Sequence, residues 1–145
     1  MRCEELMKRD PECVRPQDSI HEAARLMRDR GIGFLPVCDE DRKVLGTITD
    51  RDIVIRAVAD NRPLQSTTCE DIMSREVVCC LPDDDLSDCE AKMASHRKSR
   101  IMICDADERL VGVISLSDIA QHERSRKAGK TLRSVTAREA REVKV

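Results

Sequence analysis

Gly46-Thr47-Ile48-Thr49-Asp50-Arg51-Asp52-Ile53 returns 66 residues later as Gly112-Val113-Ile114-Ser115-Leu116-Ser117-Asp118-Ile119. The same offset, with no gap, carries Cys3 onto Cys69, Met7 onto Met73, Cys13 onto Cys79 and Pro16 onto Pro82. It also carries Met27 onto Met93, Cys38 onto Cys104 and Asp39 onto Asp105. So many matched positions at one spacing define an internal repeat, the first thing to establish in any chain. The reading is two tandem units, residues 2–58 and 68–123, a linker at 59–67, and a basic, partly helical tail at 124–145. Each unit, at about 55 residues, is on the edge of independent stability. Two such units are expected to pack around a pseudo-twofold axis and to leave two related clefts.

Working outward from the motif, Asp18-Ser19 is an N-cap signal with Glu22 in the first turn. Ile20, Ala23, Ala24 and Met27 then fall at helical spacing, so a helix is predicted to run to Arg30. Gly31 and Gly33 end it. Phe34-Leu35-Pro36-Val37-Cys38 reads as a strand, 39–42 as a turn and 43–49 as a second strand. A short helix from Asp50 to about Ala59 closes the unit. In the second unit the same elements are predicted at 86–93, 100–104, 109–115 and 116–122, with a turn at Asp105-Ala106-Asp107. A short strand is expected before each first helix, around Cys13-Val14 and at 77–81. The unit is then β-α-β-β-α, and the fold class α/β (α+β).

Composition narrows the function. Of the 145 residues, 37% are charged and the net charge is −2, so the whole chain is no polyanion binder. Trp and Tyr are absent and Phe34 is the only aromatic, which removes the stacking platforms of single-strand nucleic-acid proteins. No apolar run approaches the roughly 20 residues of a membrane span, and no secretion signal is visible, so a cytoplasmic, soluble protein is expected.

The repeated motif resembles that of the cystathionine-beta-synthase (CBS) domain, and the duplication resembles a tandem CBS pair, or Bateman module, of the stand-alone bacterial type. Leu6-Met7 and Asp71-Ile72-Met73 match the usual opening of each unit, and Gly33-Phe34-Leu35-Pro36-Val37 the strand before the turn. The resemblance implies regulatory ligand binding, without catalysis, of an adenosine-type molecule such as AMP, ADP, ATP or a related adenosyl compound. No cofactor is required by it, and a homodimer is implied. The ribose role falls on Asp52 and Asp118, and the hydroxyl role on Thr49 and Ser115. The base is implied to lie along Phe34, Leu35 and Pro36 in one unit and Arg100, Ile101 and Met102 in the other. A Thr/Ser-x-x-Asp spacing at a helix start is also that of an ordinary N-cap, and both readings stand. The two units differ from each other. Where family members carry a basic residue before the Leu-Pro, the first unit has Gly33 and Phe34 and the second Ser99 and Arg100. Met102 stands in place of a proline, and Asp50 adds negative charge beside Asp52, which Arg51 offsets.

Eight cysteines are many for such a chain. Within each unit, one lies near the first short strand and one at the end of the second, so Cys13–Cys38 and Cys79–Cys104 (or Cys80–Cys104) are candidate disulfide or redox pairs. A bridge over a loop of that size is worth ~3 kcal/mol if unstrained. The competing reading is small buried hydrophobes. Zinc is disfavoured, since there is no short CxxC or CxxH pair and Cys79-Cys80, adjacent on a strand, point to opposite faces. His21, His96 and His122 read as surface residues.

Residues 121–145 hold eight Lys or Arg against three Glu. The tail is expected to form a helix from Leu132 to about Val143 that packs Leu132, Val135 and Ala140. Gly129-Lys130-Thr131 resembles the end of a phosphate-binding loop, but Arg124 stands where that loop needs Gly and no strand precedes it. No Ser-His-Asp, Cys-His or metal constellation appears, and Asp83-Asp84-Asp85 reads as a helix start. Two functions follow: a regulatory module that signals a bound adenosine-type ligand by a change of shape, or a stress or interaction protein with an unused nucleotide site, stabilised or switched by its cysteine pairs.

Overall fold

A computed structural model describes residues 1–122 and 125–137. The elements run α1 (Cys3–Leu6), β1 (Lys8–Arg9), α2 (Ile20–Arg30), β2 (Phe34–Cys38), β3 (Val44–Thr49), α3 (Asp50–Ile53), α4 (Cys69–Ile72), β4 (Cys79–Cys80), α5 (Leu86–His96), β5 (Arg100–Cys104), β6 (Leu110–Ser115), α6 (Leu116–His122) and α7 (Ser125–Thr136). This is a mixed α/β chain built from a tandem repeat, and the central elements lie where periodicity and capping signals put them.

Local chemistry explains the boundaries. Ser19 accepts a hydrogen bond from the Glu22 N–H (3.1 Å), which caps α2, and Gly31 at φ 65° ends it in the left-handed region. Ile20, Ala23 and Met27 are the buried stripe. The helix after β3 is short because it loosens after Ile53 into a π turn, Val54–Val58, in which the Ala59 N–H reaches the Val54 carbonyl (2.9 Å). Helix α5 runs three residues beyond the expected Met93, to His96, and Arg97 ends it at φ 54°.

The chain divides into two compact units. The first-repeat unit comprises Glu12–Val77 with Asp107–Leu110, and the second-repeat unit Met1–Pro11, Val78–Ala106 and the described chain from Val111. Each repeat's opening segment is thus counted in the other repeat's unit.

In the first-repeat unit, β2 and β3 are antiparallel, with Phe34 opposite Thr49, Leu35 opposite Ile48 and Pro36 opposite Thr47. Val14 bridges Val37 in parallel, and Ser74 bridges Thr47 on the far side of β3. Its core joins Val14, Ile20, Ala23, Met27, Leu35, Val37 and Ile48 to Cys69, Ile72 and Met73 from the second repeat's opening. The motif glycine explains how that opening fits. A Cβ on Gly46 would lie 2.5 Å from the Ser74 carbonyl oxygen and 2.9 Å from Met73 Sδ.

The second-repeat unit has a four-stranded sheet in the order β1-β6-β5-β4, with β4 parallel to β5. Its core includes Cys3 and Met7 from the chain start, with Leu86, Met93, Ile101, Ile103, Ile114 and Ile119. Gly112 plays the part of Gly46, since its Cβ would lie 2.5 Å from Met7 Sδ.

Helix α7 packs on α5 and α6. It starts at Ser125, not at Leu132 as expected. Val135 is buried in the core, whereas Leu132 is 49% exposed and Thr131 takes an inward position. Ala140 lies outside the described residues. Gly129 sits within α7, and the Thr131 hydroxyl donates to Glu90 Oε2 (3.0 Å), so the Gly-Lys-Thr run is helix and not a phosphate loop.

Candidate functional site

The repeated motif builds one strand-to-helix corner in each unit. At the first, the Thr49 N–H donates to Asp52 Oδ2 (2.9 Å) and the Asp52 N–H donates back to Thr49 Oγ1 (3.1 Å). Ser115 and Asp118 repeat this at the second corner, at 2.9 and 3.1 Å. Both are capping boxes, so the capping geometry is present at each corner. The box uses one carboxylate oxygen and leaves the other beside a cation. Asp52 Oδ1 lies 3.8 Å from Arg56 Nε, and Asp118 Oδ1 lies 3.8 Å from Lys8 Nζ.

The strand before each corner is tied to it by the backbone. The Asp50 N–H donates to the Gly33 carbonyl (3.0 Å), and the Leu116 N–H donates to that of Ser99 (2.8 Å). Phe34 and Pro36, paired with Thr49 and Thr47, share one face of their hairpin. Leu35 and Ile48 occupy the other face, in the core. Ile101 likewise belongs to the core of its unit, while Met102 is buried outside that cluster and Arg100 is exposed. Of the residues singled out in the sequence, Thr49, Asp52 and Phe34 therefore share a side at one corner, and Pro36 lies on that face of the hairpin with its side chain fully buried. Ser115, Asp118, Ser99 and Arg100 gather at the other. Leu35 and Ile101 turn their side chains to the cores. Arg51 is exposed beside the first corner, and its N–H donates to Asp50 Oδ1 (2.8 Å). Lys8, which the sequence reading did not single out, stands beside Asp118. Its signal lay in the pairing of β1 with β6, which places Lys8 opposite Val113.

The cysteines form three contacts and no disulfide, and all eight are free thiols. Cys104 Sγ lies 3.0 Å from Cys79 Sγ, a thiol–thiol contact beyond the ~2.05 Å of a bond. The alternative Cys80–Cys104 pairing does not occur, because Cys80 faces the core. There its thiol is hydrogen-bonded with Cys3 and Cys89, which holds Cys80 well below the ordinary thiol value, while Cys3 and Cys89 are pushed up. That cluster was not foreseen, because its members come from three separated stretches of chain. Cys69 is pushed up to about 12 by burial. Cys13 and Cys38 are also hydrogen-bonded partners. Among the described residues no group of three or more His, Cys, Asp or Glu is placed to hold a metal ion. No described helix is long and apolar enough to cross a membrane.

Comparison with known proteins places the chain. The family model for the CBS domain matches residues 3–58 and 69–125. The CBS domain-containing protein YhcV of Bacillus subtilis (strain 168) is 36% identical over 124 residues, 85% of this chain and 86% of that one. The crystal structure of Hypoxic Response Protein I with two coordinated zinc ions superposes with a TM-score of 0.78 at 27% identity, covering 86% of this chain and 100% of that one. The CBS domain pair of protein MJ0100, in complex with 5′-methylthioadenosine and S-adenosyl-L-methionine, gives a TM-score of 0.75 at 29% identity over 90% of this chain and 98% of that one. The chain belongs to the CBS domain family and is a tandem CBS pair.

Proposed function

We propose that this CBS pair is a non-catalytic regulatory module that binds adenosyl ligands at its two strand-to-helix corners. The carrying observation is the duplicated corner, in which a hydroxyl and a carboxylate are locked by one capping box while the second carboxylate oxygen is left over, 3.8 Å from a cation. A carboxylate accepts hydrogen bonds from both hydroxyls of a ribose. The adenosyl ligands of the MJ0100 pair support the ligand class.

The corners differ in charge, and the proposed preferences follow from that. The first sets Asp50 and Asp52 against Arg51 and Arg56, which leaves it no net positive charge, and adds the apolar Phe34, which suits an adenosyl compound without phosphate. The second carries Lys8, 3.8 Å from Asp118, with Arg100 at the head of β5, which suits a phosphate-bearing one such as AMP. Calorimetric titration with AMP and with 5′-methylthioadenosine tests this. Asp118→Asn is expected to weaken AMP at least tenfold and to leave 5′-methylthioadenosine nearly unchanged, and Asp52→Asn to do the reverse. Absence of binding by both compounds at millimolar concentration would rule out the reading and leave an interaction protein with an unused site.

A further inference from the structure

We propose that Cys13 and Cys38 form a peroxide-responsive dithiol in the first-repeat unit, with Cys13 the attacking sulfur and Cys38 the resolving one. Three features of the unit support this, and none depends on ligand binding.

The first is juxtaposition. The Val14 N–H donates to the Pro36 carbonyl (3.0 Å), and the Cys38 N–H donates to the Val14 carbonyl (2.9 Å). This short parallel pairing holds the segment carrying Cys13 against the end of β2. Cys38 is only 1% exposed, whereas Cys13 is half-buried and can meet a small oxidant.

The second is a fixed cation. Arg42 closes the turn after β2 at φ 62°. Its Nε reaches the Leu110 carbonyl (3.5 Å) and its Nη1 reaches Cys13 Sγ (3.8 Å). The guanidinium is thus held beside one sulfur of the pair. Hydrogen bonding from the Cys38 thiol, and then the Arg42 charge, outweigh burial and lower Cys13 from 9.0 to about 6. Arg15 lowers it further, while Glu12 opposes them. Glu12 is itself paired with Arg30 at 3.2 Å. Cys38 is raised, chiefly by its bond to Cys13. Thiolate character and access are what select a cysteine for oxidation.

The third is the contrast between repeats. Cys79 and Cys104 occupy the matching positions, but the residue 66 positions after Arg42 is Glu108. Both pairs are kept together in the fold, and the position that holds Arg42 in the first repeat holds a carboxylate in the second.

The chemistry balances with a hydroperoxide as oxidant. The Cys13 thiolate attacks the peroxide oxygen. An S–O bond forms, the O–O bond breaks, and the departing hydroxide takes a proton and leaves as water. The Cys38 thiol then gives up its proton and attacks the Cys13 sulfenic acid. An S–S bond forms, the S–O bond breaks, and a second water leaves. Two thiols are oxidised and one hydrogen peroxide is reduced.

The test is alkylation of the wild-type chain by iodoacetamide, with each cysteine followed by peptide mass spectrometry. A thiol of pKa about 6 slows only roughly twofold between pH 7 and pH 6, whereas an ordinary thiol slows roughly tenfold, and access cancels from the ratio. Cys13 is expected to show the shallow profile, and Arg42→Gln to steepen it. Limited hydrogen peroxide is expected to join Cys13 to Cys38 before any other pair forms. In Cys38→Ser, the sulfenic acid is expected to persist at Cys13 and to be trapped by dimedone. A tenfold fall at Cys13 in the wild type, or a first disulfide that excludes Cys13, overturns the proposal.

Discussion

Thr49, Asp52, Ser115 and Asp118 show how one side chain can serve a fold and a ligand together. The hydroxyl and one carboxylate oxygen satisfy backbone N–H groups that the first helical turn leaves without partners. Removing the hydroxyl in Thr49→Ala should cost about 1 kcal/mol in urea-induced unfolding. Thr49→Ser, which keeps the acceptor, should recover most of it. The same box without a proposed ligand role occurs at Thr68 and Asp71. There the Thr68 backbone N–H, and then its hydroxyl, hold the Asp71 carboxyl below its ordinary 3.8. The folded value is depressed, so this contribution is fully present above pH 3.8 and is lost as pH falls through the folded value. Thr68→Ala should therefore narrow the gap in acid stability between wild type and variant below pH 4, measured by circular dichroism along a pH titration. The Thr/Ser-x-x-Asp spacing was legible from residue types alone. Which cation meets the carboxylate oxygen that the box leaves over was not, because Lys8 reaches Asp118 from a distant strand. That Cys79 and Cys80 face opposite ways was legible, because neighbours on a strand alternate faces, but which of them meets Cys104 was not. Nor were the partners of Cys80, because Cys3 and Cys89 arrive from a separate segment and a helix.

At the scale of elements, the glycines divide into those set by contact and those that are not. Gly46 and Gly112 lie where any side chain meets the opening segment of the other repeat. For Gly46 one of the obstructing atoms is a backbone carbonyl, which cannot swing away. Gly129 has nothing within 4 Å of a built Cβ and lies inside α7. Thermal and urea unfolding should separate them. Gly46→Ala is expected to destabilise by about 1–3 kcal/mol through overpacking, and Gly129→Ala to stabilise by up to about 1 kcal/mol through helix propensity. The strands and long helices of each repeat were readable because alternation and 3.6-residue periodicity express burial directly. The tail was read less well. Its helix begins seven residues earlier than Leu132 suggested, since Ser125 to Lys130 carry no apolar stripe to announce it. Thr131 is buried through its bond to Glu90, a pairing that apolar patterning does not register.

For the whole molecule, the repeat predicts two units but not their membership. An offset of 66 residues says which residues correspond, and nothing about which segment packs on which. The answer lies in Gly46 and Gly112, whose missing side chains admit Met73 and Met7 respectively. The second-repeat unit therefore depends on the start of the chain. Cys3 is fully buried and Met7 nearly so. The Met1 carbonyl accepts from the Leu86 N–H (2.8 Å), and the Cys3 N–H donates to the Asp84 carbonyl (2.9 Å). β1 supplies an edge of the sheet. A chain beginning at Glu12 would lose all of this. Burial of one Met side chain is worth roughly 1.5–3 kcal/mol, and the strand pairing and the helix-start contacts add to it. Against a total stability of about 5–15 kcal/mol for an ordinary domain, that is a large share. The 12–145 chain should show a lower urea midpoint and bind a hydrophobic dye. A synthetic peptide of residues 1–11, added in excess, should raise the midpoint again in a concentration-dependent way, and the same peptide with Met7→Asp should not. Were the truncated chain as stable as the full one, the exchange of opening segments would have no energetic weight.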